Sequence, residues 1–312
     1  MIRNSEGQAY RHGSGQRASV RGGAVIGRLA VLGVGLIGGS LARALRAAGA
    51  VEEVVGYGRG QANLRKAVEL GVIDRAESSA ARAVSAADMI VLALPVGSMA
   101  ATLSQIAPQI GAQAVVTDVG SVKGSIVSAA RAALGERFRR FVPGHPIAGT
   151  EQSGVAASFA ELFRDRRVVL TPVAETDPDA LERVRSMWQA TGAQTVSMEV
   201  SHHDEILAAT SHLPHLLAYC LVDTLARMDD GRVIFDFAAG GFRDFTRIAA
   251  SDPVMWRDIC LANRAAILAA LGQYRSDLDA LMSAIGRDDG DWLLELFTRA
   301  KRERDALNGG RR

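Results

Sequence analysis

Three short stretches of this 312-residue chain concentrate polar side chains of the kind that do chemistry. The first is Gly144-His145-Pro146-Ile147-Ala148-Gly149-Thr150-Glu151, where a histidine that titrates near neutrality is boxed by glycines and proline. It directly follows a strand pattern at Phe141-Val142, a placement suited to a general acid or base. The second is Ser211-His212-Leu213-Pro214-His215, inside a helical run that begins near His203. Glu205, His212 and His215 recur there at i, i+7 and i+10 and are expected on one helical face. Two histidines three apart can hold a metal, but no cysteine or firm third ligand stands nearby and Pro214 disturbs the turn, so no metal site is expected. The third is Gly240-Gly241-Phe242-Arg243-Asp244-Phe245-Thr246-Arg247, a glycine-hinged loop with two guanidiniums. Arginine forks bind carboxylates bidentately, which suits an anionic substrate. Arg247, followed by apolar Ile248-Ala249-Ala250, is expected to point inward and Arg243 to face solvent.

A fourth stretch has no titratable group and binds by backbone. In Leu29–Gly49, LAVLGVGLIGGSLARALRAAG, apolar residues lead into Gly33-x-Gly35-x-x-Gly38 and then into a helical period. That strand–turn–helix setting makes the fingerprint informative for a dinucleotide. Gly33 serves the tight turn, Gly35 the approach of a pyrophosphate, and Gly38 the packing of helix on strand. The first helical residues, Leu36 and Ile37, offer N–H groups and a positive dipole end to the phosphates. A P-loop is excluded, because Gly38 is followed by Gly39-Ser40 rather than by lysine. Beyond the second strand, Glu53–Tyr57, the position that holds an acid for the ribose 2′-OH of NAD is Gly58, followed by Arg59. A guanidinium there suits a 2′-phosphate and favours NADP over NAD, although Arg59 pointing to solvent is the plainer alternative.

The elements that must position these residues alternate. The glycine-closed helix Asn63–Gly71, the apolar strand of residues 87–95, the helix Met99–Ile110, the strand of residues 114–118 and the junction Val119–Lys123 describe a parallel α/β sheet with right-handed crossovers. Leu94 and Pro95 end one strand at the carboxyl edge, where ligands of doubly wound sheets lie. Arg167–Thr171 and Gln194–Met198, separated by a helix over Asp179–Thr191, are expected to extend the same sheet. From residue 200 the alternation stops, and His203–Met228, Trp256–Ile285 and Asp291–Ala306 read as long helices. The chain is therefore read as a basic disordered extension over residues 1–27, a Rossmann-like NAD(P)-binding domain over 28–199, and an all-α substrate and dimerisation domain over 200–308.

Composition agrees with this class. Hydrophobic residues at 48 % and charged residues at 22 % describe a globular protein with ample core. The longest apolar runs are too short to span a bilayer, so no membrane partner is expected. Residues 1–28 contribute +4 to a net charge of +2, leaving the rest at −2 and giving no reason to expect nucleic acid. The extension lacks the apolar core of a secretory signal, and Cys220 and Cys260 read as two buried reduced thiols, so a cytoplasmic protein is expected.

With these residues in hand the chain resembles the prephenate/arogenate dehydrogenase family of tyrosine biosynthesis. The resemblance runs over roughly residues 28–285 and rests on VLGVGLIGGSLA, TDVGSVKGSI, GHPIAGTEQSG, SHLPHLLA and GGFRDFTRIAASDPVMW, in that order. It implies oxidative decarboxylation of prephenate or arogenate, hydride passing to a nicotinamide while the ring carboxylate leaves as CO₂. It also implies residue roles. His145 would hydrogen-bond the ring hydroxyl, and Ser121 would orient that contact. Arg247 would grip a substrate carboxylate, and His215 would face the substrate side chain. Thr150 and Glu151 would wall the pocket, with Asp244 in a supporting network. A homodimer through residues 200–300 is expected. No chorismate mutase segment precedes the glycine turn and too few residues follow Ile285 for an appended ACT-type domain, so tyrosine inhibition would have to act at the active site. Two other readings are another 3-hydroxyacid-type dehydrogenase and a non-catalytic NADP-sensing regulator. The first would place a lysine in the corresponding helix, and the second would not need His145, Ser121 and Arg247 together.

Overall fold

The computed structural model describes residues 26–150, 152–229 and 231–309. Most of the expected disordered extension, together with Glu151, therefore lies outside the described residues. The first strand begins at Ile26, two residues earlier than the expected boundary.

Regular structure opens as strict β/α alternation: β1 (Ile26–Leu32), α1 (Leu36–Ala47), β2 (Val51–Tyr57), α2 (Gln61–Glu69), β3 (Arg75–Ala76), α3 (Ala80–Val84), β4 (Met89–Leu92), α4 (Val96–Ile106), β5 (Val115–Asp118), α5 (Gly124–Leu134) and β6 (Phe141–Val142). These strands form one parallel sheet in the order β3-β2-β1-β4-β5-β6. β1 is central, with Ala30 in register with Val55 on one side and Ile90 on the other. The order reverses beside β1, which opens a crevice at the carboxyl ends of β1 and β4.

Alternation along the strands builds a core on each face. Leu29 and Val31 join Met89, Val91 and Val115 under α1 and Trp188, while Ala30 and Leu32 join Ile90, Leu92 and Val116 under α3, α4 and α5. Strands buried on both faces read as continuous apolar runs, which is why MIVL and AVL carry no period of two.

The sheet ends before the strands expected to extend it. β7 (Gly144–Pro146), β8 (Arg167–Leu170) and β9 (Gln194–Ser197) form a separate three-stranded sheet, with β7 antiparallel to β8 and β8 parallel to β9. The break falls at Pro143, which has no N–H for the ladder. After it the Gly144 N–H turns to the Asp118 side chain, 3.2 Å away, instead of pairing with β5. α6 (Pro178–Ala190) connects β8 to β9, and its Trp188 packs edge-on against Phe163.

From residue 200 the chain is helical: α7 (Val200–Leu207), α8 (Leu213–Ala226), α9 (Gly231–Asp236), α10 (Gly240–Thr246), α11 (Pro253–Ala262), α12 (Arg264–Gly286) and α13 (Gly290–Gly309). α7 and α8 are joined through a π-helical segment, Ala208–His212. The extra residue per turn rotates the rest of the helix about its axis, so Glu205 is exposed while His212 is fully buried. The expectation that Glu205, His212 and His215 share a face is thus corrected. So is the expectation of two buried thiols: within the single chain Cys220 is exposed and Cys260 half-buried, and both are free. No helix among the described residues is long and apolar enough to cross a membrane.

Candidate active site

The glycine turn is shaped by two close backbone approaches. Gly33 adopts φ +103°, and a side-chain carbon there would lie 2.1 Å from the Ala93 carbonyl oxygen. Its N–H donates to the Tyr57 carbonyl at 2.8 Å, tying the turn to β2. A carbon on Gly38 would lie 2.3 Å from the Gly33 carbonyl oxygen, so α1 sits as close to β1 as a helix can. At Gly35 the same carbon would meet nothing within 4 Å. Gly35 precedes the first residue of α1, and no side chain caps that helix end. An open approach to uncapped N–H groups at a helix N-terminus is the feature a pyrophosphate requires, so the turn fits a dinucleotide. Leu36 is buried, Ile37 half-buried, and Leu94 lies against Gly33, while Pro95 caps the start of α4. Arg59 is exposed just past the end of β2. Asn63 braces the turn in a way the sequence did not signal. Its amide N–H donates to the Val34 carbonyl at 2.6 Å, and its carbonyl accepts from the Val155 N–H at 2.9 Å.

A buried polar seam lies at the next edge of the sheet. Asp118, the last residue of β5, accepts the N–H of Gly120 at 2.8 Å and pairs with the ammonium of Lys123. Both side chains are fully buried. Lys123 Nζ donates to the Gly144 carbonyl at 2.6 Å, so the residue before His145 is held at its N–H by Asp118 and at its carbonyl by Lys123. Burial draws the Lys123 ammonium below its ordinary pKa, against which Asp118 favours the charged form.

His145 projects from β7 into this seam and is itself buried. Its Nδ1 lies 2.9 Å from Nε2 of His203, and Nδ1 of His203 lies 2.8 Å from Oδ1 of Asp204. Burial, reinforced by the nearby charge of Lys123 and the proximity of His203 and His212, holds the His145 pKa well below 6.5. The imidazole is therefore neutral at physiological pH, which suits a proton acceptor. Asp204 also accepts the backbone N–H groups of Lys123 and Gly124, each at 2.8 Å, and so closes the N-terminus of α5. Burial pushes its carboxyl pKa up, but these donors and His203 outweigh that and lower it.

The helical residues continue the seam. Asn263, at the break between α11 and α12, donates to the Asp204 carbonyl at 2.8 Å and lies 3.2 Å from Nδ1 of His212. His212 stands edge-on to Trp256, and His215 stacks on the same indole at 3.9 Å between centroids. Nδ1 of His215 donates to the Ser211 carbonyl at 2.9 Å, leaving Nε2 as an acceptor.

His145, His212 and His215 are thus gathered around one seam, with Ser121 half-buried in the loop two residues ahead of Lys123. Other expected residues stand outside it. Thr150 is exposed and accepts from the Gln152 N–H at 3.3 Å, and Asp244 is exposed on α10. Arg247 is exposed too, contrary to the inward placement expected of it. It opens the turn Arg247–Ala250, which is anchored to α8 where the Tyr219 hydroxyl donates to the Ser251 carbonyl at 2.6 Å. The apolar Ile248 and Ala249 are the half-buried residues of that turn, while Arg247 is exposed. Sequence reasoning missed His203, Asp204, Lys123, Asp118 and Asn263. The pair His203-Asp204 at the head of a helix was the one signal available.

Comparison with known proteins identifies the family. Residues 41–197 match the model of the prephenate dehydrogenase nucleotide-binding domain, and residues 199–299 that of the prephenate dehydrogenase dimerization domain. A cyclohexadienyl dehydrogenase of Zymomonas mobilis is 38 % identical over 285 residues, covering 91 % of this chain and 97 % of the relative. A prephenate dehydrogenase of Bacillus subtilis is 36 % identical over 277 residues, 88 % of this chain and 74 % of its own. Among solved structures, prephenate dehydrogenase from Aquifex aeolicus in complex with hydroxyphenyl propionate and NAD+ superposes with a TM-score of 0.86 at 38 % identity, over 90 % of this chain and 98 % of that one. Arogenate dehydrogenase from Synechocystis superposes at 0.76 with 32 % identity, over 90 % and 99 %. With its glycine turn, its parallel sheet and its helical second half, the chain belongs to the prephenate/arogenate dehydrogenase family of NAD(P)-dependent oxidoreductases.

Proposed function

We propose that this chain oxidatively decarboxylates prephenate, arogenate or both, with His145 as the residue that accepts the ring hydroxyl hydrogen. The observation that carries this reading is a buried imidazole, held neutral by its surroundings, at the carboxyl edge of the sheet and against the helical half. The nicotinamide, when bound, takes the hydride from the ring carbon that bears the hydroxyl. The carbon–carboxylate bond breaks, CO₂ leaves, and the electron pair of that bond completes the aromatic ring. The hydroxyl survives as the phenol of the product, so no net proton has to leave. His145 need only lend a lone pair while positive charge develops on that oxygen. Ser121 orients the contact from the β5–α5 loop, His215 faces the substrate side chain, and the exposed Arg247 meets a carboxylate. The wall roles of Thr150 and Asp244, both exposed, and of Glu151 rest on the family resemblance alone. Residues 28–199 serve the cofactor and 200–308 the substrate.

Arg59 at the end of β2, with Gly58 in place of an acid, supports NADP as the preferred cofactor. A homodimer through the helical half is supported by its apolar surface. In the 23-residue α12 only Ile267 and Ala284 are buried, while Leu268, Tyr274, Leu278, Met282 and Ile285 are exposed, as are Leu294 and Phe297 of α13. Helices this apolar and this uncovered bury their faces on a partner. Two free cysteines are in keeping with a reducing, cytoplasmic setting.

The test is an initial-rate grid with purified protein: prephenate or arogenate, each with NAD or NADP. The faster substrate names the activity, and a large excess of NADP over NAD rates supports Arg59 as the 2′-phosphate contact. No turnover in any cell, with cofactor still bound, would favour the regulator reading.

A further inference from the structure

We infer that His203 and Asp204 are positioning residues that fix His145 as its Nδ1–H tautomer and so leave Nε2 as a bare acceptor. The inference rests on the reading of His145 given above and extends it to two residues that act through that imidazole. Its logic is a chain of forced donors and acceptors. Asp204 receives two backbone N–H groups from the start of α5, Lys123 on Oδ1 and Gly124 on Oδ2, at 2.8 Å each. Backbone N–H groups can only donate, so the carboxylate is held as an acceptor on both oxygens. Oδ1 also faces Nδ1 of His203 at 2.8 Å, and that nitrogen must therefore carry a hydrogen. A neutral His203 then has its lone pair on Nε2, which lies 2.9 Å from Nδ1 of His145. The bond can form only if His145 Nδ1 carries the hydrogen. One lone pair remains, on His145 Nε2.

The alternative is a doubly protonated His203, which would turn Nε2 into a donor, make His145 Nδ1 the acceptor and move the His145 hydrogen to Nε2. Such a ring could not accept from a hydroxyl. The charges around the pair disfavour it. The fully buried Lys123 ammonium approaches from the β5–α5 side, with Asp118 as its own counterion. Asp204, the one anion on His203, is already answered by two N–H groups and by the positive end of α5. With His203 fully buried, a second hydrogen on it would add a cation to a site that already holds one.

The test reads the tautomer directly. Long-range proton–nitrogen correlation spectra of the full chain, labelled with 15N in the histidine rings, distinguish a protonated ring nitrogen from a bare one, and the His145→Asn spectrum assigns the signal. The expected result is His145 protonated at Nδ1 and bare at Nε2. His203→Gln, whose side-chain oxygen can still accept from His145 Nδ1, should keep that signature and most of kcat. His203→Leu should lose the single tautomer and about a hundredfold in kcat with KM little changed, the scale of a general-base contribution. Asp204→Asn cannot serve three donors, and its amide N–H₂ facing His203 should shift His145 toward Nε2–H. A wild-type signal at Nε2–H would overturn the inference, as would a His203→Leu enzyme within about twofold of wild-type kcat. If His203→Leu does not fold, the wild-type spectrum decides alone. An Nδ1–H signal in a protein inactive on every substrate and cofactor pair would sink the proposed function and leave this inference standing; turnover with an Nε2–H signal would do the reverse.

Discussion

His145 owes its character to neighbours that no local motif announces. Its loop is visible in the sequence as glycines and a proline around one histidine, but its neutrality comes from burial and from Lys123, 22 positions earlier. Replacing His145 by Asn keeps the size and removes the basic nitrogen. Turnover is expected to fall by roughly 10²- to 10⁴-fold with cofactor affinity retained, as measured by initial rates and nucleotide titration; unchanged turnover would refute the assigned role. Arg247 is a different kind of residue. It is exposed rather than part of the seam, and the substrate carboxylate proposed as its partner is present in ground and transition states alike. Arg247→Ala should therefore mainly raise KM, and a pure loss of kcat would contradict the placement.

At the scale of the element, the glycine turn separates two demands that one fingerprint encodes. Gly38 answers a packing demand, since any side chain there meets the Gly33 carbonyl and the Val31 side chain. Gly35 meets no such demand, since a side chain there would touch nothing in the protein, and its proposed role is to admit a pyrophosphate. Gly38→Ala should lower the melting temperature, and Gly35→Ala should leave it unchanged while weakening nucleotide binding, a contrast readable by calorimetry and titration. A stable Gly38→Ala, or a Gly35→Ala that binds normally, would break the assignment.

The same scale shows how far hydrophobic pattern reaches. β1, β2, β4 and β5 were legible because buried parallel strands are apolar runs and each is followed by a helical period, whereas the two-residue β3, Arg75–Ala76, is not buried and left no such run. The second sheet was not, because β7 differs from a sixth-strand continuation only by Pro143 and by a hydrogen bond to Asp118, and pairing direction leaves no trace in hydrophobicity. The α7–α8 helix was legible as a helix but not in phase, because one π-helical turn at Ala208–His212 shifts every later residue around the axis. Periodicity assumes a constant 3.6 residues per turn, and the residues most displaced by its failure, His212 and His215, are those of the candidate site.

For the whole molecule, burial sets two expectations. The exposed apolar faces of α12 and α13 should hold two copies together. Leu268→Glu combined with Met282→Glu should convert a dimer to monomers in analytical ultracentrifugation, whereas an unchanged mass would move the interface elsewhere. The second expectation is acid sensitivity. Burial, with smaller contributions from His203 and His215, draws the His212 pKa to about 4 despite the opposing effect of Asp204. The unfolded chain takes up that proton near pH 6.5 and the folded chain resists it until about pH 4, so stability present above 6.5 is lost as pH falls. The cost reaches about 3 kcal/mol for this residue, and the melting temperature should drop across that window. His212→Gln should flatten the drop.

Asp204 has one further consequence, and it concerns the order in which the protein comes into being. The glycine turn and His145 both lie before residue 150, while His203 and Asp204 come after residue 200. A ribosome making this chain finishes the glycine turn and the proposed acceptor imidazole well before it makes the carboxylate inferred to orient that imidazole. That same carboxylate also accepts the N–H groups at the start of α5, so one side chain serves both the helix end and the inferred orientation of the imidazole. A chain ending before residue 200 would carry the glycine turn and the acceptor imidazole but not the carboxylate inferred to orient it.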